Sequence, residues 1–176
     1  AAPSGLVIVL AGVADPGNAG TLIRTAEAVG ASAVVVTNNA VDPVSPKVVR
    51  SSAGSVLRVP LVDAPDLRGV ISALRAEHFR VATTAMAGGV PYYEAELVGD
   101  LAIVLGNEAH GVPADDARWG DLSLSIPMLG AVESLNVGVA GSLLAFESAR
   151  QRADLHQADL HQADLHQADL HQADRP

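Results

Sequence analysis

Short apolar runs recur along residues 6–126, separated by segments whose apolar positions repeat with helical period. Residues 6–10 (LVIVL), 33–37 (AVVVT) and 101–105 (LAIVL) are apolar at every or nearly every position, the pattern of strands buried on both faces. Three further strands are predicted over 56–62 (closed by Pro60), 79–83 and 122–126. Between them, residues 19–29 place Leu22, Ile23, Ala26 and Val29 on one side of a helix that stops at Gly30. Residues 47–52 form a short helix ended near Gly54, and 66–76 an amphipathic one. A long helix rich in small residues follows over 135–150. Residues 12–20 and 38–46 read as turn-rich loops; 86–100, broken by Gly88, Gly89 and Pro91, reads as a surface loop. Strands alternating with helices predict one α/β domain, a mostly parallel sheet with helices on both faces.

Ligands of such sheets sit beyond the carboxyl ends of the strands. Three polar or glycine-rich segments fall there, 15–24, 106–111 and 127–136, and together they predict one composite site. In the first, Asn18 suits a helix N-cap, because its side chain can accept from free N–H groups of the first turn. Arg24 lies one turn further on. Its fork suits a phosphate or carboxylate; the plainer role is an exposed helix arginine paired with Glu27. The spacing from Gly17 to Gly20 is not a dinucleotide fingerprint. In the second segment, GNEAHG, Gly106 leaves its backbone open to a ligand, and Glu108 and His110 suit either acid–base work or loop structure. In the third, Ser134 and Asn136 flank a helix start, where free N–H groups attract anions; Ser134 is equally a simple N-cap. Beyond it, Gly138, Ala140, Gly141, Ser142 and Ala145 allow close approach of another backbone, from within the fold or from a second subunit.

Composition narrows the chemistry. The 176 residues include no Cys, which excludes a disulfide scaffold, a Cys-ligated zinc, an iron–sulfur cluster and a Cys nucleophile. No apolar run reaches membrane-spanning length. No basic segment leads into an apolar one at the start, so a cytoplasmic location is expected. A net charge of −9 argues against holding nucleic acid by bulk electrostatics. The tail distorts that figure: from Ala153 the chain repeats ADLHQ four times and ends ADRP. Removing the five Asp and two Arg of residues 151–176 from the chain's 20 acids and 11 cations leaves 15 and 9, a charge of −6. Each five-residue step turns about 140° on a helix, so Leu155, Leu160, Leu165 and Leu170 make no apolar stripe. His156, His161, His166 and His171 lack the i,i+3 or i,i+4 spacing of helical metal ligands. Residues 1–150 are therefore expected to form the domain, with 151–176 a low-complexity tail, frayed or weakly helical, outside the fold.

The three segments share an order and wording. Residues 18–26 (NxGxxxRTA), 104–111 (VLGNExHG) and 126–137 (IPMxGxxESLNV) resemble the three motifs of the SpoU (TrmH) RNA 2′-O-ribose methyltransferases, within the SPOUT superfamily. The resemblance spans roughly residues 5 to 150, and the connecting VVRSSAGSVLRVPL also fits. It implies a sheet whose C-terminal part is threaded as a deep trefoil knot, an exception to the rule that chains are unknotted. It implies S-adenosylmethionine bound against Gly106, Ile126, Met128, Gly130 and Leu135, and methyl transfer to a ribose 2′-OH of tRNA or rRNA. By similarity Arg24 activates the hydroxyl, Asn18 and Asn136 position it or the substrate, Ser134 binds phosphate and Glu108 orders the loop. The family is usually dimeric, which gives Gly138 and Gly141 an interface role. The chemistry calls for neither metal nor thiol. Many members also carry an N-terminal domain that grips RNA, whereas here the motif region begins within the first twenty residues. Two other readings stand beside this one: a knotted cofactor- or RNA-binding module without catalysis, and a flavodoxin-like nucleotide or flavin binder. The second lacks a fitting phosphate loop, and 3% aromatics leave few rings to flank a flavin.

Overall fold

Side chains alternate between the two faces of a strand, and the central strands bury both. A computed structural model describes residues 5–37, 39–85, 88–107, 110–112 and 118–173, with backbone alone for 162–173. Seven strands pair in the order β3-β2-β1-β6-β4-β7-β5, every pair parallel. They are β1 (Leu6–Ala11), β2 (Ala33–Thr37), β3 (Leu61–Ala64), β4 (Arg80–Thr84), β5 (Val90–Pro91), β6 (Leu101–Gly106) and β7 (Leu122–Ser125). In β1, Leu6, Ile8 and Leu10 enter one core with Leu22, Ile23, Leu105 and Leu144. Val7, Val9 and Ala11 enter a second with Val70, Ile71, Val81 and Val104. The first core lies under helices α1 (Pro16–Ala28) and α4 (Val137–Ala173), the second under α3 (Leu67–Ala76). Helices therefore cover both faces, as the strand pattern predicts. Truncating a fully buried anchor such as Leu144 to Ala would cost about 2–5 kcal/mol.

Several boundaries move. α1 starts at Pro16, and its N-cap is Asp15, which accepts from the Asn18 amide at 2.8 Å; Asn18 is not the cap. The strand expected over 56–62 is displaced. Residues 55–57 form a 3-10 turn, and the Pro60 carbonyl, accepting from Val34 N, begins the rung pattern that Leu61–Ala64 continues. The segment 86–100, expected to be all loop, contributes the two-residue edge strand β5. The short helix α2 (Pro46–Ser51) lies where expected and packs on α1: Ser51 Oγ donates to the Pro16 carbonyl at 2.7 Å. A Cβ on Gly20 would collide with Ser51, so this glycine is required by close packing.

Small residues on α4 serve this chain's own core. Gly141 faces Leu105 and Leu22, Gly138 faces Asn18, and Thr25 Oγ1 meets Ser142 Oγ at 2.8 Å. Of the two roles expected for Gly138 and Gly141, these contacts supply the one within the fold, a seam between α1 and α4. The last helix begins at Val137 and continues as helical backbone through the repeats to Ala173. Its anchorage also reaches past 150. Gln151 bonds Ala95 O at 3.0 Å and Leu97 N at 2.7 Å, and Arg152 Nη2 donates to Gly99 O at 2.7 Å and to Gly5 O at 3.3 Å. Asp100 completes this clamp at the amino ends of β1 and β6 by accepting from Gly5 N at 2.6 Å. Burial pushes the Arg152 guanidinium below its ordinary pKa, while Asp100 opposes the shift.

Candidate functional site

The carboxyl ends of β6, β4 and β7 lie side by side, and a cavity of about 500 Å³ opens above them. Its floor is Thr84, Gly106 and Ile126, from the ends of these three strands. Its walls come from the loop after β6, which supplies Asn107, His110 and Gly111, and from residues 133–137 leading into α4. Strand order reverses elsewhere, between β1 and β6, where a doubly wound sheet usually places its ligand. One side-chain hydrogen bond spans that crevice. Asn107 Nδ2 donates to the Gly12 carbonyl at 3.0 Å across it, and Gly12 takes φ +79°, a left-handed turn that suits glycine. Asn107 and Gly111 also exchange both backbone hydrogen bonds. A Cβ on Gly106 would collide with the Gly111 backbone, so the strand end must be glycine for Gly111 to pack over it.

Helix α4 presents its first turn to this cavity. Asn136 Oδ1 accepts from Gly138 N at 2.8 Å and Val139 N at 3.2 Å. Asn136 is thus the cap, and Ser134, two residues earlier, is exposed on the wall. Asn136 Nδ2 in turn donates to Asn18 Oδ1 at 2.8 Å, joining the cavity wall to α1.

The electrostatics divide sharply. Among the described residues that line the cavity there is one carboxylate, Glu133, and one imidazole, His110, but no Lys, no Arg and no Phe, Tyr or Trp. His110 Nδ1 lies 3.3 Å from Asn107 Oδ1. Arg24 lies outside the cavity lining, exposed on the outer side of α1. Its expected partner is taken: Glu27 forms a two-point ion pair with Arg58, donated from Nε and from Nη2, the latter at 2.8 Å. That pair pulls the Glu27 carboxyl down to about 2 and raises the Arg58 guanidinium. The Arg24 side chain makes no hydrogen bond or ion pair with any described residue. It contributes only a weak Coulombic pull on Glu27.

Of the residues expected at the site, Gly106, Ile126, Met128, Leu135, Ser134 and Asn136 line the cavity, and Asn18 is bonded to Asn136. Gly130 does not line it, and a Cβ there would meet nothing within 4 Å. Glu108 lies outside the described residues. The sequence reading gave no role to Thr84, Asn107 or Glu133. Glu133 stood inside the third motif, and Asn107 inside the second. Thr84 had no local signal, because only the pairing of β4 between β6 and β7 brings it there.

Comparisons with known proteins place this fold in a family. The model described as the SpoU rRNA Methylase family matches residues 5–146, and the chain belongs to that family. A model described as pentapeptide repeats (8 copies) matches residues 151–174, where the described backbone is helical. The chain is 40% identical over 140 residues to the 23S rRNA (guanosine(2553)-2'-O)-methyltransferase RlmP of Bacillus subtilis, covering 80% of this chain and 56% of that protein. The AdoMet-bound rRNA methyltransferase from Sinorhizobium meliloti superposes with a TM-score of 0.79 at 35% identity, over 83% of this chain and 56% of that one. A structure described as giving insights into 2-OH methylation of C/U34 on tRNA superposes with a TM-score of 0.79 at 30% identity, over 86% of this chain and 99% of that one. The chain spans little more than half the length of the curated relatives RlmP and RlmB.

Proposed function

We propose that this domain transfers the methyl group of S-adenosylmethionine to a ribose 2′-OH of rRNA or tRNA. The observation that carries the reading is the cation-free lining of the cavity. S-adenosylmethionine bears a sulfonium and an ammonium, and Glu133 is a carboxylate suited to either. The phosphates of a nucleotide or flavin would find no Lys or Arg among the described lining residues, and an isoalloxazine no aromatic ring. The size fits as well: about 500 Å³ lies within the usual range for small-molecule sites. Gly106, Ile126, Met128 and Leu135 would hold the cofactor, which supplies an activated methyl group.

The chain's own residues then orient and activate a poor nucleophile. Arg24 offsets negative charge developing on the 2′-oxygen. Asn136 and Asn18, bonded to each other, fix the distance between the α4 cap and α1. Ser134 donates to an RNA phosphate at the helix start, and Glu108 belongs to the same proposal as the residue that orders the loop. The threading of the C-terminal segment as a knot, and a cytoplasmic location, are also part of it.

A homodimer completes the reading. Leu129, Val132, Leu135, Val139 and Phe146 are all exposed, and Leu135 also lines the cavity. A second copy on this apolar strip would cover the cavity rim, and Arg24, absent from its own cavity wall, would then act at whichever rim the dimer brings near it. Light scattering that gives twice the chain mass is the expected result.

The reading is tested by incubating the protein with methyl-labelled S-adenosylmethionine and total rRNA or tRNA. Label should appear at ribose, leaving alkali-resistant dinucleotides, and calorimetry should detect S-adenosylmethionine and S-adenosylhomocysteine but not FMN. Cofactor binding without transfer to any RNA would favour the non-catalytic module.

A further inference from the structure

The outer surface formed by α1, α2 and the turn after α2 reverses the charge balance of the molecule. Residues 16–58 hold four cations, Arg24, Lys47, Arg50 and Arg58, and two acids, Glu27 and Asp42, in a chain with 20 acids and 11 cations overall. The acids are engaged. Glu27 is paired with Arg58, and Asp42 accepts from Val44 N at 2.9 Å. Arg24, Lys47 and Arg50 are exposed, and no side chain of the three has a hydrogen-bond or ion-pair partner among the described residues. Of the exposed arginines elsewhere, Arg75 pairs with Asp121 and Arg150 with Glu147 and Asp154, while Arg68 lies over the Trp119 ring, 5.3 Å from its centroid.

The packing also fixes this face as one surface. Ser51, next to Arg50, bonds Pro16 and fills the notch at Gly20, so α2 cannot shift along α1. Ser52 and Val48 are buried inward, which leaves Lys47 and Arg50, one turn apart, on the outward side. Arg58, held by Glu27, closes the far end.

We propose that this α1–α2 face is a track for the sugar–phosphate backbone of RNA, in which Lys47 and Arg50 bind phosphates flanking the nucleotide that Arg24 activates. The inference rests on the methyl-transfer reading and extends it to a surface outside the cavity. An array of unpaired cations beside a cation-free cavity suits an extended polyanion. Such contacts read no sequence; they set position and register.

The test is fluorescence anisotropy of a short labelled RNA hairpin with the full chain, across about 50 to 200 mM salt. Each of Lys47→Gln and Arg50→Gln should lower the slope of log affinity against log salt by about one, alike for hairpins of different sequence. The double variant should bind about tenfold more weakly at mid-range salt. Calorimetric affinity for S-adenosylmethionine should stay at the wild-type value, and Lys47→Arg with Arg50→Lys should restore RNA binding. A double variant with wild-type slope and affinity overturns the track and leaves the methyl-transfer reading standing. A wild-type chain that binds S-adenosylmethionine but no RNA at low salt overturns both.

Discussion

The cavity above β6, β4 and β7 and the outer face of α1 and α2 belong to one molecule with opposite electrostatics. The first holds a carboxylate and no Lys or Arg among its described lining residues; the second holds three cationic side chains without a hydrogen-bond or ion-pair partner among the described residues. They meet at one hydrogen bond, Asn136 to Asn18. The difference teaches that a net charge of −9 says little about partners. What decides is where charge is left uncompensated. The pairing of Glu27 with Arg58 matters here because it removes the one helix acid that would have neutralised Arg24.

The largest expected effect breaks the cationic side. Arg24→Ala should lower methyl transfer by about a hundredfold or more, the scale for removing a positioned donor to a developing oxyanion, while calorimetry shows cofactor affinity nearly unchanged. Full activity in that variant would remove Arg24 from the mechanism. Next, Glu133→Lys places a cation in the cavity and should weaken S-adenosylmethionine binding by about tenfold through like-charge repulsion, leaving hairpin binding intact. An unchanged dissociation constant would show that the cofactor's charges lie elsewhere.

The junction comes third. Asn136→Ala removes a helix cap and should cost about 1 kcal/mol of stability in thermal or denaturant melts. Asn18→Ala should be milder, because Asp15, not Asn18, caps α1. The smallest effect sharpens the comparison. Glu27 has a folded pKa of about 2 against an ordinary value of 4.5, so its ion pair stabilises the fold fully above pH 4.5. That contribution fades as pH falls towards 2, so the melting temperature of Glu27→Gln should vary less with pH over this range than wild type. The same substitution frees Arg58 and should steepen the salt dependence of RNA binding by about one.

Much of this was legible in the chain. Strands β1, β2 and β6 announced themselves because burial on two faces leaves no room for polar positions. The third strand was misplaced because Val56, Val59 and Val62 read as one run. Pro60 cannot donate to a ladder and so reads as a strand end, yet its carbonyl begins the strand. The cap of α1 was assigned three residues late, although Pro16 after Asp15 carries the signal of a first helical turn. The site was legible as three segments but not as an arrangement. Segments two and three line one cavity, whereas the first touches it only through Asn18. Which strand ends are neighbours depends on β6 inserting between β1 and β4, and β7 between β4 and β5. Those pairings join residues far apart in sequence, and no local pattern encodes them.

Helix α4 has its first turn at the cavity, where Asn136 caps it, and is gripped near the amino ends of β1 and β6 by Gln151 and Arg152. With both grips in place its axis is set by the sheet, and the helical residues beyond Arg152 extend that axis as an arm of about 30 Å. Along that axis each ADLHQ unit advances by about 7.5 Å and turns by about 140°, so successive units climb the helix as a spiral and share no single face.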